Sequence, residues 1–320
     1  MRALVTGASG FVGGHLTEHL LAEGWEVWGC AMRPPLVDGG AFPGVRFLTA
    51  DLQCPEAACE VVRQARPQAL FHLAAQAAVG PSHERPWETL RANISMQTHV
   101  LEAVRREQPD CAVLVVGSGE EYGLAQPKDL PLKEDAPLRP ASPYAVSKVA
   151  QDFLGLQYHL SYGLKTVRVR PFNHVGPGQG PGFVAADFAR QLVEAELGRR
   201  PPRIAVGNLE AKRDFTDVRD VVRAYSALVQ GEHWGEVFNV ASGHAVPIRR
   251  LLDLLLAEAR IEIEVETDPA RMRPSDVPIS VGDYSRLREA TGWQPRIPLE
   301  KTVRDVMDYW RARLASEGER

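Results

Sequence analysis

A chain of 320 residues, 44% of them hydrophobic, can bury a sizeable core and form one large domain or two unequal ones. Its 37 Lys and Arg against 41 Asp and Glu leave a net charge of -4, which excludes the basic footprint of a nucleic-acid binder and the polybasic patch of a membrane-surface protein. The composition predicts small-molecule partners, no nucleic acid and no membrane. Cys30, Cys54, Cys59 and Cys111 are the only cysteines and show no Cys-x-x-Cys spacing, so no metal site and no disulfide framework is expected. The chain enters "RALVT" at once, without an apolar leader, and no run approaches the ~18 apolar residues of a membrane span, so a cytoplasmic protein is expected.

Short apolar runs alternate with helical patterns through the first half. "RALVT", "EVWGCA", "VRFLTA", "QALFHLAA", "CAVLVVGS" and "KTVRVRPF" read as strands, and "GGHLTEHLLAEG" and "WETLRANISMQTHVLEAVRRE" carry apolar residues at helical spacing. That alternation predicts an α/β fold, a Rossmann-type doubly wound parallel sheet with helices on both faces. After Phe172 the rhythm breaks into "NHVGPGQGPGF", eleven residues read as a functional loop, too polar for core and too long for a simple turn. Helical patterns follow near 183–197, 217–230, 247–258 and 299–314, with strand-like "RIAV", "EVFNV" and "IEIEVE" among them. These predict a coenzyme domain over 1–172, to which strands near 204–240 return, and a smaller, interleaved C-terminal α/β domain over 173–320 that binds the substrate. It would close over the carboxyl ends of the parallel strands, where such folds take ligands.

"TGASGFVGG" follows the first strand and opens the first helix, with Gly7, Gly10 and Gly13 three apart. Glycines there let the backbone approach a pyrophosphate, while the helix N-terminus offers N–H donors and partial positive charge. A strand-to-helix turn that needs glycines for its own sake is the plainer reading. Asp51, at the end of the third strand, suits an adenine amino group or, equally, a helix cap. The second strand ends in "GCAMR", without the acid that grips a free ribose hydroxyl. Arg33 stands there instead and suits a 2′-phosphate, or is a solvated surface charge.

"SPYAVSK" places Tyr144 and Lys148 four apart after a helix start, with Ser142 as N-cap and Pro143 in the first turn. That spacing puts both side chains on one helix face. A nearby ammonium lowers a phenol toward neutrality, where it can trade a proton with a carbonyl or an alcohol. Ser118, past the fifth strand, is placed to hydrogen-bond the same oxygen.

Glycine loop, strand-end Ser and Tyr-x-x-x-Lys in this order resemble the extended short-chain dehydrogenase/reductases over almost the whole chain. "RPFNHVGPGQGPGFV", "GNLEAKRDFTDVRDV", "DPARMRPSD" and "TGWQPRIPLE" are similar to the GDP-mannose branch, which holds GDP-mannose 4,6-dehydratases and GDP-6-deoxy-4-keto-mannose reductases. The resemblance implies a bound NADP (NADPH) in preference to NAD, touched by Gly7, Gly10, Phe11, Val12, Gly13, Arg33, Asp51, Leu52, Leu73, Ala74, Ala75, Tyr144 and Lys148. It implies a GDP-sugar substrate met by Asn173, Val184, Asn208, Arg213 and Arg273, and a homodimer or homotetramer paired through helices at 87–106 and 144–162.

Within that branch a dehydratase needs a further base, a Glu two residues after the strand-end Ser, and Glu120 stands there. Against this, the chain lacks the family's long Arg- and Ser-rich loop after the second strand and has "RDFTDV" where dehydratases carry a "RDWGHA"-like block. It also has Asn93 where they usually have Asp. The resemblance therefore implies reduction of GDP-4-keto-6-deoxy-D-mannose to GDP-D-rhamnose through Ser118, Tyr144 and Lys148. The alternative is a GDP-mannose 4,6-dehydratase with Glu120 as base. Behind these stand another nucleotide-sugar epimerase or reductase, and a noncatalytic NADP-binding regulator on the same fold.

Overall fold

The computed structural model describes residues 1–33, 43–271 and 277–318. Strands β1 (Arg2–Thr6), β2 (Glu26–Ala31), β3 (Val45–Thr49), β4 (Ala69–His72), β5 (Ala112–Val116) and β6 (Thr166–Pro171) come first. They alternate with helices α1 (Phe11–Ala22), α2 (Pro55–Ala65), α3 (Val79–Glu84), α4 (Pro86–Glu107) and α5 (Pro143–Tyr162). The second half runs β7 (Asn173–Val175), α6 (Val184–Glu196), β8 (Arg203–Val206), β9 (Lys212–Asp217), α7 (Val218–Gln230), β10 (Val237–Val240), β11 (Ala245–Pro247) and α8 (Ile248–Ala257). It closes with β12 (Glu264–Thr267), β13 (Ile279–Ser280), α9 (Ser285–Thr291) and α10 (Leu299–Gly318).

The central sheet has the order β10-β6-β5-β4-β1-β2-β3 with every pairing parallel, the doubly wound arrangement expected from the alternation. Its strands read as apolar runs because both faces are covered. Along β1, Ala3 and Val5 enter the core beneath α1 and α7, whereas Leu4 enters the opposite core beneath α2 and α4. β4 and β5 repeat this division, with Phe71 and Leu114 on the first side and Leu70 and Val113 on the second. Each such residue is fully buried, worth about 1.5–3 kcal/mol against exposure for every Val, Leu and Phe among them. Leu70→Ala would cost about 2–5 kcal/mol.

A third core packs α6, α8 and α10 against β8 through Leu192, Leu251, Met307 and Trp310. Of the strand-like pieces at 204–240, only β10 enters the central sheet. β8 instead pairs with β12, and β9 pairs with β7, β11 and β13. The predicted strand at "IEIEVE" begins only at Glu264. The predicted loop after Phe172 opens with β7, hydrogen-bonded along β9. β9 carries no apolar run, and its buried Asp214 is matched by fixed donors: Ser242 N (2.7 Å), Ser242 Oγ (2.6 Å), Gly243 N (2.9 Å) and Gly282 N (3.2 Å). In the same stretch Asp217 caps α7 and accepts from Thr302 Oγ1 at 2.7 Å, and Asp220 accepts from the backbone of Arg296 and Ile297. The "RDFTDVRD" block is thus a set of fastenings between the sheet and the following segments.

Chain order reverses between β1 and β4, and a crevice opens there at the carboxyl ends of the strands. Among the described residues no helix is long and apolar enough to cross a membrane, and no group of three or more His, Cys, Asp or Glu is placed to hold a metal ion.

Candidate active site

The loop between β1 and α1 is shaped by its glycines. Gly7 has φ +71°, and a Cβ there would lie 2.9 Å from Ala74 N; a Cβ on Gly13 would strike the Gly7 carbonyl. No side chain caps α1, whose N-cap is Gly10, so its first-turn N–H groups stay available to an anion. Thr6 Oγ1 accepts from Leu73 N (3.2 Å) and Ala74 N (3.3 Å), which pins the end of β4 beside this loop. Val12, Leu73 and Ala75 line the cavity beyond. This glycine cradle with an uncapped helix end fits the diphosphate of a dinucleotide.

The other expected coenzyme residues sit at the start of α1 and just past the ends of β2 and β3. Phe11 stacks on His174 with ring centroids 6.1 Å apart. Leu52 is buried in the core under α2 and α4. Asp51 is exposed and accepts from Gln53 N at 2.9 Å, closing a turn rather than capping α2, whose N-cap is Cys54. Arg33 is exposed just past β2.

Ser118, Tyr144 and Lys148 come together at one cavity of about 350 Å³, which runs on between the central sheet and α6. Ser142 caps α5 by accepting from Ala145 N at 3.1 Å, and Pro143 occupies the first turn, as the sequence predicts. Asn93 sits beneath this helix, donating to Ser147 Oγ (2.8 Å) and Gln76 O (3.2 Å) while accepting from Gln76 N (2.7 Å). An Asp there would have no amide protons for the first two bonds.

Burial dominates the electrostatics. It pushes the Tyr144 phenol above its ordinary value; a hydrogen bond with Ser118 pulls the other way, and the nearby charges of Glu120 and Glu121 reinforce the rise. The expectation of a phenol lowered by Lys148 is therefore corrected. The Lys148 ammonium lies 5.9 Å from the Tyr144 ring centroid and donates to Val116 O at 2.9 Å, so it faces the ring and the strand end. Burial draws Lys148 itself down to about 8, with Glu121 opposing. Tyr144 is thus held as a protonated phenol, suited to give a proton to a developing alkoxide.

Asn173, Val184, Asn208 and Arg213 all line the far part of the cavity. Arg213 extends from β9 and donates to Val277 O at 2.7 Å; Asn208 accepts from Glu210 N at 2.9 Å. Arg273 lies outside the described residues. Among the described residues Arg271 lines the cavity, together with His174, Phe183 and Tyr225, none of which the sequence reading singled out. His174 sits next to Asn173 in a block already marked as functional, so its neighbour was the available signal. Arg271 had none, one of two arginines in "DPARMRPSD".

The two adjacent carboxylates of "GSGEEYG" part company. Glu120 is half-buried and lines the cavity beside Ser118. Glu121 turns inward, has no exposed surface and accepts from Ser118 N at 2.7 Å.

A doubly wound parallel sheet, a glycine-cradled helix and a Ser, Tyr and Lys set at the strand ends define an extended short-chain dehydrogenase/reductase. A family model described as GDP-mannose 4,6 dehydratase matches residues 4–306, and the chain belongs to that family. It is 36% identical over 318 residues to the GDP-6-deoxy-D-mannose reductase of Pseudomonas aeruginosa, spanning 99% of each chain. A solved structure of RMD from Pseudomonas aeruginosa complexed with NADPH superposes with TM-score 0.85 at 34% identity, over 98% of this chain and 100% of that one. The Thermus thermophilus UDP-glucose 4-epimerase complex with NAD gives TM-score 0.86 at 30% identity, over 97% and 99%.

Proposed function

We propose that this chain reduces the 4-keto group of GDP-4-keto-6-deoxy-D-mannose, forming GDP-D-rhamnose, with NADPH preferred to NADH. The observation that carries this is the convergence of Ser118, a protonated Tyr144 and Lys148 on one cavity, in a chain alike over its whole length to a GDP-6-deoxy-D-mannose reductase.

A bound nicotinamide coenzyme supplies the hydride. Tyr144 gives its proton to the carbon-4 oxygen as negative charge grows there, and the Ser118 hydroxyl hydrogen-bonds the same oxygen. Lys148 places a positive charge behind the phenol and steadies the phenolate left after transfer. Arg213, Asn208 and Asn173 hold the sugar nucleotide, the guanidinium suiting its phosphates, and Arg273 is a further candidate clamp. Residues 173 onward act mainly as the substrate half, residues 1–172 as the coenzyme half. Exposed Trp87, Phe153 and Leu160 on α4 and α5 support pairing into a homodimer or homotetramer in the cytoplasm.

Glu120 at the cavity favours a second reading, a GDP-mannose 4,6-dehydratase that uses this carboxylate as base. Incubation with GDP-mannose and, separately, with GDP-4-keto-6-deoxymannose plus NADPH, followed by chromatography of the products, decides between the two. Reduction of the 4-keto sugar with GDP-mannose left intact is the expected result. Conversion of GDP-mannose without net coenzyme consumption overturns it.

A further inference from the structure

Behind Ser118 lies a charged network with almost no solvent contact. Arg170 reaches Asp152 Oδ2 through Nη2 at 2.7 Å, and Arg168 reaches Asp152 Oδ1 through Nη1 at 2.7 Å. Asp152 sits on α5, four residues after Lys148 and eight after Tyr144, so it shares the helix face that carries them. Glu121 joins this pair from the other side, its Oε2 lying 3.1 Å from Arg170 Nε. Two guanidinium groups thus face two carboxyl groups; burial, with the charge of Asp152 adding to it, pushes the Glu121 carboxyl well above the usual carboxylate range, while Arg170 and the Ser118 N–H pull the other way.

The two oxygens of Glu121 do different things. Oε2 stands near Arg170 but out of line for a hydrogen bond, and makes none. Oε1 accepts from Ser118 N at 2.7 Å. At the other end of the same residue, Ser118 Oγ accepts from Glu120 N at 3.1 Å. Ser118 is therefore gripped at its backbone by Glu121 and at its side chain by the following turn. Space for this grip comes from Gly117, where a Cβ would collide with Glu121 Oε1.

We propose that Glu121 is a positioning residue, whose carboxylate fixes Ser118 against the face of α5 that presents Tyr144 and Lys148. The link runs from the Ser118 N–H through Glu121 to Arg170, and from Arg170 through Asp152 into the helix. Displacing Ser118 removes a hydrogen bond to the reacting oxygen without touching the surfaces that bind coenzyme or sugar nucleotide. Misplacement of a reacting group by about 1 Å can cost 10²-fold in rate. This inference rests on the reading of Ser118 as a partner of the carbon-4 oxygen.

The test compares Glu121→Leu and Glu121→Gln with wild type in kcat, in KM for the 4-keto sugar nucleotide, in NADPH affinity by fluorescence, and in the NMR amide proton shift of Ser118. Leu removes the acceptor; Gln keeps an acceptor oxygen but cannot ionise. The expected result is a kcat roughly 10- to 100-fold lower for Leu and a smaller loss for Gln, with KM and NADPH affinity within about threefold. The Ser118 amide proton moves upfield in both variants and further in Leu. Unchanged kcat in Leu, or losses in kcat, KM, NADPH affinity and melting temperature that run in parallel, overturns the positioning role. If Leu does not fold, a Ser118 amide unmoved in Gln overturns it as well. A wild type that does not reduce the 4-keto sugar sinks the functional reading instead, and the amide shift still decides whether Glu121 holds Ser118.

Discussion

The ammonium of Lys148 donates to the carbonyl oxygen of Val116 at 2.9 Å, tying α5 to the end of β5 within one side chain's reach of Tyr144. Lys148 is buried, and desolvation lowers it to about 8, with Glu121 pulling upward; His72 faces it as a neutral ring. The charged form therefore prevails below about pH 8 and is lost above it. For the free enzyme, kcat/KM is expected to fall as pH rises through this value. Lys148→Met should lower turnover by roughly 10²-fold or more, the lower end of what an acid–base group contributes, and abolish the alkaline limb. An unchanged limb in the Met variant would assign it to another group.

The proposed preference for NADPH is tested at the end of β2. Ala31 leaves no carboxylate there to repel a 2′-phosphate, and Arg33 is exposed two residues on. A charge-assisted hydrogen bond contributes about 1.5–3 kcal/mol, or roughly 10- to 150-fold in affinity. Arg33→Ala is expected to weaken NADPH within that range and to leave NADH nearly unaffected, read by titration of each coenzyme. Equal losses for both would make Arg33 a general surface charge.

His72 predicts an acid-sensitive fold. Thr6 Oγ1 already accepts two backbone N–H groups, so its own proton goes to His72 Nδ1 at 2.9 Å, leaving the ring neutral with the proton on Nε2. Burial, with Lys148 adding to it, depresses His72 to about 3 from an ordinary 6.5. Between these values the unfolded chain binds the extra proton, so stability rises with pH in that window and is lost as pH falls from 6.5 to 3. At about 1.4 kcal/mol per tenfold step in proton activity, His72 alone removes up to about 5 kcal/mol by about pH 3. Urea unfolding of His72→Asn across this window should show a flatter pH dependence than wild type. An identical slope in both would clear His72 of the effect.

The sheet was legible because burial on both faces forces continuous apolar runs, and Ser118, Tyr144 and Lys148 were legible because each follows a strand end or helix start with a strong local signature. β9 was not, because Lys212–Asp217 has no apolar run and buries Asp214, whose partners lie 28 residues or more away, at Ser242 and Gly282. Spacing could not separate Glu120 from Glu121 either. Both carboxylates are adjacent in sequence, and only the 3-10 turn at Gly119–Tyr122 sends one to the cavity and the other to Arg170. The Tyr144 phenol went the other way from the sequence expectation, since a helical spacing of four fixes the shared face but not how deeply the phenol is buried, and burial dominates its shift.

Glu120 remains the residue on which reductase and dehydratase part. It lines the cavity beside Ser118. In the proposed reduction carbon 4 takes a hydride and its oxygen takes the Tyr144 proton, and no step takes hydrogen from carbon 5. Glu120→Gln keeps the shape and the hydrogen-bonding capacity but cannot act as a base. Reduction of the 4-keto sugar is expected to fall by less than about tenfold, well short of the 10²–10⁴ that an acid–base group supplies. The measurement is NADPH oxidation on the 4-keto sugar nucleotide, wild type against variant. A loss of roughly 10²-fold or more would place Glu120 in the chemistry itself, and formation of a 4-keto-6-deoxy sugar from GDP-mannose by wild type but not by the Gln variant would make it the base of a dehydratase.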